Sequence, residues 1–225
     1  MTAMICWSCQ KAAGNDGFCV GCGAVQPPDV KADYFAVLGV ARAFALDEVA
    51  LERRYKELTK QLHPDRFARS GAQARRASLE RSVQLNEAWR CLKDPVRRAE
   101  YLLSLHGIDV GDRTGAGHAE DSSAHTTLPV HQVLLMEVLE LREALAEAHA
   151  AGDVHETEAL IAKVRSRLDT VMEDVSRGFA VAQPVLGTIA ARLVTVRYYR
   201  RFLDEARLLW EQDGPAAARD LGHAG

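Results

Sequence analysis

The sequence predicts an all-α protein: a helical domain and a C-terminal three-helix bundle, preceded by a small four-cysteine module. Three observations predict it. Apolar residues recur at helical spacing over residues 31–107 and again over 130–211. No alternating apolar–polar run exceeds a short hairpin. Four of the five cysteines fall within the first 22 positions, as two Cys-x-x-Cys pairs.

The chain has 225 residues, 48% hydrophobic and 26% charged, with a formal net charge of −3. Such a composition folds, and it gives no global affinity for nucleic acid. Lys11 is the lone basic residue among the clustered cysteines, which weakens a zinc-ribbon nucleic-acid binder as a reading. The longest apolar runs are too short to span a bilayer, so no membrane partner is expected. Met1–Cys9 lacks the basic-then-apolar pattern of a secretory signal. A soluble, reducing compartment is therefore expected: the cytoplasm if the source is bacterial, or the mitochondrial matrix if the chain is a processed form.

Cys6-Trp7-Ser8-Cys9 and Cys19-Val20-Gly21-Cys22 lie in the first block, residues 1–29. Two residues between thiolates let both sulfurs face one ion, and two such knuckles supply a tetrahedral set. Cys6, Cys9, Cys19 and Cys22 are the expected ligands of one structural zinc per chain, with iron the less common occupant. A closed shell of four thiolates has no open position for catalysis. A pair of disulfides or a redox dithiol is the alternative. Cys91, far away in sequence, reads as a small apolar residue.

In residues 31–107 a short helix is expected around Tyr34–Leu38, stopped by Gly39. Asp47 caps a helix reaching Leu62, which Pro64 ends. A long helix runs from about Gly71 to Lys93. A shorter one follows from Val96 to Leu105, with Pro95 suited to its first turn and Gly107 closing it. Residues 108–129 are rich in Gly, Ser, Thr, His and Asp and read as a linker. Three helices follow, Val130–Ala150, Val154–Arg177 and Pro184–Trp210. Ala151-Gly152-Asp153 supplies a stop, a turn and a cap, and short links make neighbours antiparallel. Residues 212–225 form a tail.

In the helix ending at Leu62, Leu51, Tyr55, Leu58 and Leu62 share one stripe. Arg53, Lys56 and Lys60 lie nearly opposite. A solvated face would suffice to explain the charges. However, the cationic stripe leads directly into His63-Pro64-Asp65-Arg66. Proline fixes the turn and presents an imidazole and a carboxylate on a rigid loop. No nucleophile, oxyanion element or phosphate loop accompanies them, so His63 and Asp65 do not read as an acid–base pair and the chain does not read as an enzyme. This region resembles the J domain of DnaJ-type co-chaperones, through Asp33-Tyr34-Phe35, Leu38-Gly39, the basic helix, His63-Pro64-Asp65, and Asn86-Glu87-Ala88-Trp89 before Leu92-Lys93-Asp94-Pro95. The resemblance implies that Arg53, Lys56, Lys60 and Arg66 dock on a DnaK-type ATPase, and that His63, Pro64 and Asp65 trigger ATP hydrolysis there.

In the first helix of the bundle, Leu134, Val138, Leu141 and Leu145 form one tight stripe. Leu135, Met136 and Leu139 lie roughly 90–190° from it, bordered by Glu140, Glu143 and Glu147. In the last helix, Leu186, Ile189, Leu193, Val196, Leu203 and Trp210 share a side, and Phe202 lies well off it. The surplus apolar surface is either a broad core face or an acid-rimmed partner site. Here the chain resembles the HscB family, J proteins of iron–sulfur cluster biogenesis. The resemblance rests on Tyr101-Leu102-Leu103-Ser104-Leu105-His106-Gly107, Leu135-Met136-Glu137, Leu139-Glu140-Leu141-Arg142-Glu143 and Arg201-Phe202-Leu203-Asp204. It implies an L-shaped protein whose bundle binds the scaffold protein IscU and delivers it to the ATPase HscA. The implied scaffold-binding residues are Leu135, Met136, Leu139, Glu140, Glu143, Glu147 and Phe202. The tetracysteine extension is similar to that of mitochondrial members. A general J-protein adaptor for another client is the rival reading. A homo-oligomer is left open.

Overall fold

The structure is a computed structural model that describes residues 5–14, 17–110 and 129–213. The expected linker therefore lies outside the described residues over 111–128, and the expected tail over 214–225. Among the described residues the elements are α1 (Tyr34–Leu38), α2 (Glu48–Leu62), a 3-10 turn (Pro64–Phe67), α3 (Ala72–Leu92), α4 (Pro95–Ser104), α5 (Pro129–Ala150), α6 (Val154–Ala180) and α7 (Leu186–Asp213). The all-α class is as expected. Two isolated antiparallel bridges, Ile5 with Ala12 and Phe18 with Val25, mark the two cysteine knuckles. The chain divides into two compact units, Met1–Leu102 and Leu103–Gly225.

Helix bounds follow local chemistry. The carboxylates of Asp33, Asp47 and Asp153 accept hydrogen bonds from Ala36 N, Ala50 N and Glu156 N, satisfying first-turn donors of α1, α2 and α6. Gly39 closes α1 in the left-handed region, φ 67°, which a side chain would disfavour. In the first unit Leu51, Leu58 and Leu62 of α2 are buried, together with Leu85, Ala88 and Leu92 of α3. Tyr55 stacks on Trp89 with centroids 4.6 Å apart and donates to Asn86 Oδ1 at 2.8 Å, tying α2 to α3. Arg98 is buried. It donates to the carbonyl of Leu92, an orphan at the end of α3, and to that of Phe44.

In the second unit Leu134, Val138, Leu141 and Leu145 are buried, as their spacing predicts. Two expectations are corrected. Helix α6 continues past Arg177 to Ala180. Gly178 does not end it: a Cβ there would meet Ile189 Cγ1 at 2.9 Å, so the glycine lets α7 approach α6. Phe202 is also not a surface residue. It is 0% exposed and sits in the core with Tyr199 and Ala206. The buried positions of α7 run Ile189, Leu193, Val196, Tyr199, Phe202, Ala206. Their spacing is tighter than one helical turn, so the core face swings round the helix and reaches Phe202 at about 140° from Ile189. Leu203, placed on the core side from sequence, is half-buried and packs against this core.

Candidate functional site

Three features are built on these scaffolds. The first is the loop after α2. Leu62 supplies the last carbonyl before it, and that oxygen accepts from two hydroxyls of α3, Ser78 Oγ at 2.7 Å and Ser82 Oγ at 3.0 Å. The root of the loop is thereby pinned to α3. Pro64 starts the 3-10 turn, the His63 carbonyl accepts from Arg66 N at 3.0 Å, and His63 Nδ1 accepts from Asp65 N at 3.3 Å. The side chains of His63 and Asp65 remain 52% and 90% exposed. A fixed backbone thus presents an imidazole and a carboxylate outward. Arg53, Lys56, Lys60 and Arg66 are all exposed. Lys56 pairs with Glu52 at 2.7 Å, and the Arg66 guanidinium donates to the Lys60 carbonyl at 3.3 Å.

The second feature is the outer face of α5. Leu135, Met136 and Leu139 are 42%, 59% and 51% exposed, and Glu140, Glu143 and Glu147 are exposed beside them. The structure brings these six together on one helix. Phe202 is not among them. Glu137, within the same stretch, turns the other way. It pairs with Arg167 of α6 and accepts from Tyr199 Oη of α7 at 2.9 Å. Burial and the Glu137 carboxylate push the Tyr199 phenol up to about 12. This network links all three helices and fixes the rotation of α5, so that Leu135, Met136 and Leu139 face away from the core.

The third feature is the cysteine cluster. The sulfurs of Cys6, Cys9, Cys19 and Cys22 lie within 4.8 Å of one another, so the four could hold a metal ion. Cys6 and Cys22 sulfurs are 3.7 Å apart, and those of Cys9 and Cys19 3.6 Å. A tetrahedron of thiolates at about 2.3 Å from one ion has edges of about 3.8 Å, so the donor set fits. Backbone amides point at the sulfurs, as from Ser8 and Cys9 to Cys6 Sγ and from Gly21 to Cys19 Sγ. At Cys6, burial opposes ionisation, but the amides of Cys9 and Ser8 and the neighbouring thiols outweigh it and bring the thiol to about 6. Cys91 stands apart. It is half-buried, and burial pushes its thiol up to about 11. That is the behaviour of a packing residue.

Sequence reasoning missed Arg98, Gln26, Arg81 and the Glu137–Arg167–Tyr199 network. Each is a polar side chain whose partner lies far along the chain or on another element, and helical periodicity carries no such signal.

Helices α1–α4 around an exposed His-Pro-Asp loop, with a separate helical bundle, define a J-domain protein. Residues 33–101 match the family model described as DnaJ domain, and residues 130–207 match that of the HSCB C-terminal oligomerisation domain. The chain belongs to the HscB family of co-chaperones. It is 35% identical over 184 residues to a co-chaperone protein HscB homolog of Aromatoleum aromaticum, covering 79% of this chain and 95% of the relative. It is 30% identical over 209 residues to the mouse iron–sulfur cluster co-chaperone protein HscB, covering 90% of this chain and 81% of that one. The crystal structure of human co-chaperone protein HscB matches with a TM-score of 0.76 at 28% identity, covering 90% of this chain and 96% of that one. Chaperone HscB from Vibrio cholerae matches with a TM-score of 0.65 at 28% identity, covering 80% and 99%. Among the described residues, no helix is long and apolar enough to cross a membrane.

Proposed function

We propose that this chain is a co-chaperone of iron–sulfur cluster assembly. It binds an IscU-type scaffold on the outer face of α5 and delivers it to a DnaK- or HscA-type chaperone. There it stimulates ATP hydrolysis through His63-Pro64-Asp65, without a catalytic site of its own. The observation that carries this reading is the α5 face: Leu135, Met136 and Leu139 stand 42–59% exposed beside three exposed carboxylates. An apolar centre with a charged rim is the anatomy of a protein-binding patch, and the acidic rim favours a basic partner surface. On the other unit, the cationic stripe of α2 steers an acidic docking face on the ATPase, and Asp65 supplies a charge-assisted contact that favours its hydrolysing state. The cysteine set takes zinc in this reading, as a structural ion with no open position. Clustered free thiols suit a reducing compartment, bacterial cytoplasm or mitochondrial matrix.

The test is direct binding of the scaffold. Replacing Leu135, Met136 and Leu139 together by Ala weakens IscU binding at least about tenfold, as loss of a central apolar cluster does, while helicity is unchanged. Wild-type affinity in the triple variant would contradict the assignment. Loss of helicity would mean that these residues belong to the core.

A further inference from the structure

The tetracysteine block is not self-contained. Gln26 is 1% exposed and its side chain turns into the block, where Nε2 donates to Cys6 Sγ at 3.3 Å and to the Ala24 carbonyl at 2.7 Å. Its backbone is held from both sides. Gln26 N donates to the Gly17 carbonyl at 2.9 Å, and the Gln26 carbonyl accepts from Arg81 Nε at 2.5 Å. Arg81 is on α3, 55 positions further along the chain. Its Nη2 reaches the Pro27 carbonyl at 3.0 Å, and Gln84, one turn on, donates to the Asp29 carbonyl at 3.1 Å. Gly17 has φ +82°, which favours glycine, and a Cβ there would lie 2.8 Å from Arg81 Nη1, so the guanidinium packs directly against bare backbone.

Two physical points give this arrangement a purpose. Four thiolates around a divalent ion carry a net charge of about −2, and half-buried charge of that kind needs N–H donors and a nearby cation. Second, Arg81 spends its planar fork on two neutral carbonyls. Burial pushes its pKa down, and the Asp29 carboxylate counters this only in part. A surface ion pair would be simpler. The fork geometry holds the Gln26–Pro27 backbone in one place, and hence the amide that donates to Cys6.

We infer that the metal site is completed by the J domain: Gln26 is an outer-shell donor to the Cys6 thiolate, and Arg81 of α3 is the positioning residue that holds Gln26 there. Metal retention and the stability of α3 are then linked, and linkage is reciprocal. The inference rests on the reading of the four cysteines as a metal site.

The test uses the full chain, Zn2+ and a competing chelator dye. Outer-shell substitutions typically cost tenfold or more in metal affinity, so Arg81→Ala and Gln26→Met are each expected to lower it about tenfold. Arg81→Lys does not restore it, because an ammonium cannot bridge two carbonyls as a fork does. Arg76→Ala, which removes an exposed ion pair on the same helix, leaves it unchanged. Stripping the metal from the wild type speeds hydrogen exchange in α3, and this difference shrinks in Arg81→Ala. Gln26→Met keeps the volume of the side chain and all of Arg81, so it reports on the donor even where Arg81→Ala fails to fold. Wild-type affinity in both Arg81→Ala and Gln26→Met, or α3 exchange indifferent to metal, overturns the inference. A wild-type chain that binds no Zn2+ overturns instead the metal reading beneath it.

Discussion

Asp65 and Phe202 are opposite cases of one question, whether a side chain acts on a partner or on its own fold. The Asp65 side chain is 90% exposed and its backbone is held by the turn. Among the ion pairs of the described residues its carboxylate touches only the neighbouring exposed His63, at 3.6 Å, so Asp65→Asn is expected to leave the fold intact and to remove chiefly what the carboxylate does to a partner. Phe202 is 0% exposed. Phe202→Ala is expected to cost about 3–5 kcal/mol in denaturant unfolding, the range for a buried aromatic truncated in a core. A binding defect without such a loss would restore it to the surface patch. Tyr199 makes a pH prediction. Its folded pKa, about 12, lies above the ordinary phenol value of about 10. The neutral phenol is therefore favoured in the folded state, so its contribution is complete below about pH 10 and is lost as pH rises towards about 12. Thermal unfolding across that window shows a loss of stability that is smaller in Tyr199→Phe. An equal loss in both forms would place the alkaline sensitivity elsewhere. Asp65 was legible from its place beside Pro64, whereas Phe202 and Tyr199 were not legible from residue type. Phe202 sits in a segment that also carries exposed Arg201 and Asp204, and only packing distinguishes it from them.

Helices were the most legible level. Asp47 and Asp153 are caps both in sequence and in structure, because a short carboxylate before an apolar periodic run has one favourable use. Pro64 and Pro95 mark ends and beginnings for the same local reason. What failed was the expected end of α6 at Arg177, just before Gly178, although the helix runs on through that glycine. The use of Gly178 is tertiary: it leaves room for Ile189 at the α6–α7 crossing. Gly178→Ala has two opposing effects, a better intrinsic helix former and a methyl group at 2.9 Å from Ile189. Overpacking dominates, with an expected loss of about 1–3 kcal/mol. Chemical denaturation measures it, and a gain in stability would show that α7 moves aside freely. Phe202 was hidden at this level too. A single projection of α7 at a fixed angle cannot follow a core face that turns along a helix of 28 residues.

At the scale of the molecule, the four cysteines were legible from spacing alone, since ligand geometry is encoded within each knuckle. Their attachment to α3 through Arg81 was not, since a guanidinium aimed at two backbone carbonyls has no sequence signature. Leu135, Met136 and Leu139 were legible as surplus apolar surface, and their exposure is what a partner face needs. The two units carry separate tasks under the proposed function, so each should fail separately. The most direct test is the steady-state ATPase rate of a DnaK- or HscA-type chaperone, measured with the full chain in the presence and absence of an IscU-type scaffold. The wild type is expected to stimulate hydrolysis, and scaffold and chain together to stimulate more than their sum. Asp65→Asn loses both effects. The variant with Leu135, Met136 and Leu139 replaced by Ala keeps the stimulation by the chain alone and loses the synergy. Undiminished synergy in that variant, or undiminished stimulation in Asp65→Asn, would contradict the proposed division of labour.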